Sequence, residues 1–253
     1  ERTLIAGLAD GSAPPGLGFN LRALRRTAAQ IRDRLSPEHW RLILAAEEGF
    51  AADCAAALHD GVFSSDEAVT ALSDLGVRLA AITGAQTDRM TRDDGWRLLT
   101  VGRQLERLDV LSGSLQVLFE SSEAPSEEDF DLLLRLFDSL ITYRALYQRR
   151  LELAPLLALL VHDPSNPRAL AGVASGLRAE LERLPGGGAA DLSSLVPQPE
   201  TWPDLSVLCE SPDGQEHLLD LSRRLRNGAR LLSEAIGVRF FSHAGATYRR
   251  LNA

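Results

Sequence analysis

Asp94-Gly-Trp-Arg-Leu-Leu-Thr-Val-Gly-Arg-Gln-Leu-Glu-Arg-Leu-Asp-Val-Leu111 is the stretch on which the fold of this chain turns. At about 100° per residue, Trp96, Leu99, Val110 and Val117 share one side of a helix, and Leu98, Val101, Leu105, Leu108 and Leu115 line the other. A helix that is apolar nearly all round is expected to be buried. Arg103, Glu106 and Arg107 nevertheless fall within the first arc. Since an unpaired buried charge is strongly unfavourable, these groups are expected either to pair inside the protein or to face a cavity.

The flanking sequence reads as further helices. Leu21, Leu24, Ala28, Ile31 and Leu35 recur at 3-4 spacing, which predicts a helix over 20–35. Ser36-Pro37-Glu38 then combines a cap, a first-turn proline and an early acid, and starts a second helix that carries Trp40, Leu42 and Ile43 to a stop at Gly61. The spacing of Ser64 and Glu67 is that of a capping box before a third stripe, Leu72, Leu75, Leu79 and Ile82. After the central helix, Ser126-Glu-Glu-Asp129 caps a fifth, whose stripe Phe130, Leu133, Leu134, Phe137, Leu140, Ile141 continues through Arg144 to Tyr147 and Leu151. Arg144 is thereby placed at the centre of an apolar face. Asn166 reads as the cap of a helix with Pro167 at its first position, and Gly186-Gly-Gly188 as its stop. A last helix runs from about residue 214 to 241.

No alternating, strand-like segment of useful length occurs. The reading is an all-α bundle of about six to seven helices without sheet. Residues 1–19 are a linker or the remnant of a preceding helix, and 20–253 form a single bundle domain with a Pro-rich loop at about 189–213. In that loop Trp202, Leu205 and Leu208 are expected to pack on the body. The chain begins at Glu1 without a helix-start signal, which reads as a piece of a longer protein or a processed chain.

Composition narrows the function. The net charge of −8 argues against a general nucleic-acid binder, whose phosphate contacts need concentrated Lys and Arg. Two cysteines, Cys54 and Cys209, far apart and outside any Cys-x-x-Cys pair, suit a reducing compartment and make no metal framework. The apolar run from Leu153 to Val161 is interrupted by Pro155 and is too short for a bilayer. A cytoplasmic protein without membrane partner is therefore the expectation. The histidines His39, His59, His162, His217 and His243 show no helical ligand pairing, so no metal is expected. No phosphate loop or serine elbow is present, and no motif asks for a cofactor.

The segment Gly95-Trp-Arg-Leu-Leu-Thr-Val-Gly-Arg-Gln-Leu-Glu-Arg107 resembles the signature of the bacterial alpha-E domain, an all-helical family named for its Glu-Arg dipeptide. Arg32-Asp-Arg-Leu-Ser-Pro-Glu-His-Trp40, Met90, Tyr143-Arg144, Asp163, Asn166-Pro-Arg168 and the ending from Ile236 to Phe241 agree in order. The resemblance covers most of 20–243. The chain departs from the family where an earlier Arg-Glu-Asn-Ala-Arg pattern is reduced to Arg25 and Ala28, and where Phe240-Phe241 replaces Tyr-Phe. The resemblance implies a genomic context: alpha-E domains occur fused or adjacent to circularly permuted ATP-grasp ligases, and with transglutaminase-like proteins.

Three functions follow as expectations. The first is a non-catalytic helical module that binds an ATP-grasp-type amide ligase or its peptide- or amino-acid-like substrate. Its ligand or polar network would comprise Arg103, Glu106, Arg107, Arg144, Arg168, Asn166 and Arg25. In the bland version Glu106 pairs with Arg103 and Arg144 and only holds the bundle together. The second is an enzyme acting on an amino-acyl or peptide substrate with Glu106 as acid or base. The third is a structural oligomerisation scaffold.

Overall fold

The computed structural model describes residues 7, 8, 10, 12, 14, 16–58, 65–121, 125–148, 151–185 and 189–241. Among these residues it is all-α, with eleven α-helices and no strand, somewhat more than the six to seven read from the pattern. Gly61, Ser64 and the Gly186–Gly188 stop lie outside the described residues, as do His59, His243 and nearly all of the opening segment. Where the sequence reads as one bundle from residue 20, the contacts gather into two compact units, Glu1–Arg92 and Asp93–Ala253. Each contains its own apolar cluster.

In the first unit, α1 (Leu17–Gln30) ends where Ile31 leaves helical geometry, and a 3-10 turn, Arg32–Arg34, follows. The stripe read as one helix to residue 35 is thus split, and Leu21, Ala28 and Leu35 are buried while Ile31 faces water. Helix α2 (Pro37–Leu58) starts as its sequence requires, with the Ser36 hydroxyl accepting from the His39 amide at 3.1 Å. Helix α3 (Ser65–Arg89) packs on α2 through Ala71, Leu75 and Ile82, with Ile43, Ala46 and Phe50 opposite. By length and composition α3 alone, among the described residues, could cross a membrane. Its midpoint is nonetheless tied within this unit, because Arg78 pairs with Asp53 at 2.7 Å.

The second unit is built on the quoted stretch, now α4 (Asp94–Ser121), capped by Asp93, whose carboxylate accepts from the Trp96 amide at 3.0 Å. Val101, Leu105, Leu108, Leu111 and Leu115 are buried against α8 (Leu170–Leu181) and α11 (Gly214–Ile236). The expectation of burial all round is corrected: Val110 is 56% and Val117 67% exposed. Among the described residues α8 and α11 cover one broad arc of α4, and Val110 and Val117 lie outside it.

The fifth predicted helix is also corrected. It breaks into α5 (Glu127–Leu136), with the expected cap at Ser126, which Asp129 completes as a capping box, and α6 (Leu140–Tyr147). Asp138 adopts φ 48° between them. The break shifts the phase of the stripe, so that α6 buries Tyr143 and leaves Ile141 86% exposed. A short α7 (Leu153–Leu157) leads into a π turn, Ala158–His162. The Pro-rich segment is not a plain loop either. It holds α9 (Ala189–Ser194), a 3-10 turn (Pro199–Thr201) and α10 (Leu205–Glu210), each kept short by the prolines, with Trp202 and Leu208 buried as expected.

Candidate functional site

The charges of α4 separate once their positions are fixed. Along the flank that meets α8, Arg97 lies 3.8 Å from Glu180, near the end of α8. A Cβ built on Gly176 would stand in ordinary contact with the Gln104 amide, at 3.5 Å. Arg103 and Arg107, one turn apart, both feel the charge of Arg168, which precedes the start of α8. The two helices are therefore antiparallel, and the start of α8 brings Arg168 to the middle of α4.

Arg103 and Arg107 are half-buried, and neither makes a hydrogen bond or ion pair among the described residues. Burial, and after it the Arg168 charge, pulls the Arg103 guanidinium below its ordinary range; Arg107 is pulled down by burial, Arg168 and Arg103 in that order. Neighbouring like charges disfavour one another's ionised form, more so where burial strips water from them. Arginine keeps its proton under these conditions, so the result is a standing repulsion, not a lost charge. Arg168 forms one ion pair among the described residues, with the exposed Asp138 at 3.8 Å.

Other acids of the unit are engaged elsewhere. Glu180 binds Arg183 at 2.9 Å, and Asp109 binds Arg226 at 3.2 Å and Arg230 at 3.4 Å on the opposite flank of α4. Asp163 accepts from the amide and hydroxyl of Ser165 at 2.8 and 2.6 Å. In the seam between α4 and α8, Arg97 Nε, Gln104 Oε1 and Glu180 Oε2 are buried without a hydrogen-bond partner. Nothing in the local sequence marks this seam, because Glu180 meets α4 only through tertiary packing.

Asn166 positions Arg168. Its Oδ1 accepts from the Arg168 amide at 3.0 Å, and its Nδ2 donates to Ser139 Oγ at 2.9 Å and to the Leu159 carbonyl at 3.1 Å. It is thus a pin between the α5–α6 break, the π turn and α8. The reading of Asn166 as a helix cap is corrected, since α8 begins at Leu170 behind Ala169 and has no side-chain cap. Gly172 permits this loop to cross the first turn of α8: a Cβ there would lie 2.2 Å from the Asn166 carbonyl oxygen.

The remaining expected members do not join the cluster. Glu106 is exposed and forms no ion pair with Arg103 or Arg144 among the described residues. Arg144 is exposed, because the break before α6 turns it outward. Arg25 belongs to the first unit, where it pairs with Glu47 at 3.0 Å. Among the described residues no group of three His, Cys, Asp or Glu side chains is arranged to hold a metal. His162 is set edge-on to Trp202, with ring centroids 6.3 Å apart, and its Nε2 has no hydrogen-bond partner among the described residues.

The Alpha-E family model, described as a predicted alpha-helical domain with a conserved ER motif, matches residues 1–241. In this chain Glu106-Arg107 supplies such a dipeptide on α4. An uncharacterized protein of Mycobacterium tuberculosis is 27% identical over 194 residues, which is 74% of this chain and 21% of that protein. An uncharacterized protein of Mycobacterium bovis matches to the same extent. The chain thus spans about a fifth of the length of these curated relatives. No solved structure matches it.

Proposed function

This chain belongs to the Alpha-E family, and on that premise we propose that it is a non-catalytic helical module that works with an ATP-grasp-type amide ligase and binds the ligase or its peptide-like substrate through Arg103, Arg107 and Arg168. The observation that carries this reading is that Arg103 and Arg107, half-buried on α4, have no ion-pair partner among the described residues and feel the like charge of Arg168, whose own acid, Asp138, is exposed. An arginine cluster that only organised a bundle would be matched by carboxylates from facing helices. Here only Arg168 has such a partner, Asp138 at 3.8 Å, and Arg103 and Arg107 have none among the described residues.

Two further facts support a module that acts beside another protein. The curated relatives are about five times as long as the matched stretch, and the resemblance to alpha-E domains implies ATP-grasp ligases as neighbours. A transglutaminase-like protein is a further partner of the same context. Glu106 as an acid-base catalyst is less well supported, because an exposed carboxylate with no partner has nothing to orient it.

Co-expression with the neighbouring ligase tests the proposal. The expected result is co-purification and faster amide-bond formation, both reduced when Arg103 and Arg107 are changed together to glutamine. Absence of association and of any change in ligase rate would overturn it.

A further inference from the structure

The first unit presents an apolar helix face that stays open among the described residues. Helix α3 buries Ala71, Leu75 and Ile82 against α2, yet only 28% of its most apolar stretch is buried. On its outer side Val69 is 61% and Val77 71% exposed, and Leu72 and Leu79 stand beside them, each 38% exposed. Ser73, Gly76, Ala80 and Thr83 complete this face, which carries no charge from Val69 to Thr87. Single exposed apolar residues are ordinary, whereas a continuous uncharged patch marks an interaction surface. We propose that this face, together with an acidic edge beside it, docks an amphipathic helix of a partner polypeptide whose apolar side is bordered by lysine or arginine.

The charge pattern selects the occupant. At about 3.6 residues per turn, Asp66, Asp74 and Asp88 fall along one edge of the face, and at a rise of about 1.5 Å per residue they span about 33 Å of helix. All three are exposed and make no ion pair among the described residues. The two arginines of α3, Arg78 and Arg89, lie at the back of the helix, where Arg78 is held by Asp53 at 2.7 Å. At the near end of the edge Asp66 and Asp74 line an open groove of about 380 Å³ between α3 and α2, whose lining also includes the buried Ala57 and Ala71. The methylene stem of a lysine or arginine lies well on such alanines with its cation at the carboxylates. Nothing lies within 4 Å of a Cβ built on Gly76 or Gly84, so a second helix can approach α3 closely there.

Other occupants fit this pattern less well. A second copy of the chain offers the same uncharged face and the same acidic edge, and brings no cation to it. Helices that lie on lipid carry lysine and arginine along their polar side, whereas the acids here repel anionic headgroups. A basic amphipathic helix satisfies both parts of the surface: apolar contact supplies the affinity, and the acidic edge steers approach and fixes register. The surface belongs to the first unit and shares no residue with the arginine reading, so either can fail alone.

The test uses the full chain and a labelled helical peptide with a leucine face bordered by lysines, beside a counterpart in which glutamate replaces every lysine. Fluorescence anisotropy reads binding. Saturable binding of the lysine peptide, weakened about tenfold or more when Val69→Ser and Val77→Ser are combined, supports the surface. Asp66→Asn combined with Asp74→Asn should weaken binding and flatten its dependence on sodium chloride. Thermal melts of both double variants should match the unaltered chain, because all four side chains are exposed. Val110→Ser combined with Val117→Ser, an exposed pair on α4, should leave the peptide affinity unchanged. Equal affinity for the glutamate peptide, or lysine-peptide binding that survives both α3 double variants, would overturn the proposal. So would a solution mass that doubles with concentration and reverts in the valine double variant of α3, which assigns the face to a second copy. Cosedimentation with vesicles of phosphatidylcholine and phosphatidylglycerol that the same variant abolishes would assign it to lipid and overturn the proposal equally.

Discussion

The side-chain amide of Asn166 donates to the hydroxyl of Ser139 at 2.9 Å, joining the break between α5 and α6 to the loop that carries Arg168. Ser139 in turn donates to the Phe137 carbonyl at 2.9 Å and is buried. Asn166→Ala leaves the Ser139 hydroxyl and the Leu159 carbonyl without this donor, and the Arg168 amide without its acceptor. The expected loss is about 1–3 kcal/mol of stability, measured by urea unfolding. A loss as small as that of a surface substitution would show that the pin is not needed.

Gly172 carries a second constraint on the same loop. A methyl group there meets the Asn166 carbonyl oxygen, which is backbone and cannot swing aside. Gly172→Ala should therefore cost about 1–3 kcal/mol although alanine is the better helix former. Gly102, with open space around its Cβ position, is the control: Gly102→Ala should stabilise by a few tenths of a kcal/mol up to about 1 kcal/mol.

Acid should weaken both units. Burial lowers the folded-state pKa of His39, and also of His162, where Asp204 opposes the shift more weakly. The unfolded chain then takes up these protons first as the pH falls below about 6.5. Stability is accordingly full above that pH and declines below it. Urea midpoints at pH 7.5 and 5.5 should show the fall, and it should shrink in His162→Gln. An unchanged midpoint across this range would contradict the assignment.

Glu106→Gln and Arg144→Ala should each change stability by less than about 0.5 kcal/mol, because both side chains are exposed. Thermal melts check this. The same Glu106 variant separates a binding module from an enzyme: ligase stimulation should survive it, whereas an activity that depended on Glu106 would disappear.

Much of the fold is legible in local sequence. Ser36-Pro37 and the Ser126–Asp129 segment announce their helices because a cap needs only residues a few positions apart. The 3-4 spacing of Leu21, Leu75, Leu105 and Leu108 marks inner faces for the same reason. Periodicity misleads where a helix stops without punctuation. Phe130 to Leu151 keeps its apolar rhythm through Asp138, and nothing nearby in sequence says that Asp138 takes a left-handed conformation. Arg144 is misplaced as a consequence.

The candidate site divides along the same line. Arg103 and Arg107 are visible as charges on an apolar helix, and Arg168 as part of a resembling motif. That the charge of Arg168 reaches Arg103 and Arg107 follows from the antiparallel packing of α4 on α8, and that Arg144 stays in water follows from the break before α6. Helical period assigns a residue to a face of its own helix. Which face is covered, and which distant charge lies beside it, depends on contacts between elements far apart in the chain, and only packing supplies those.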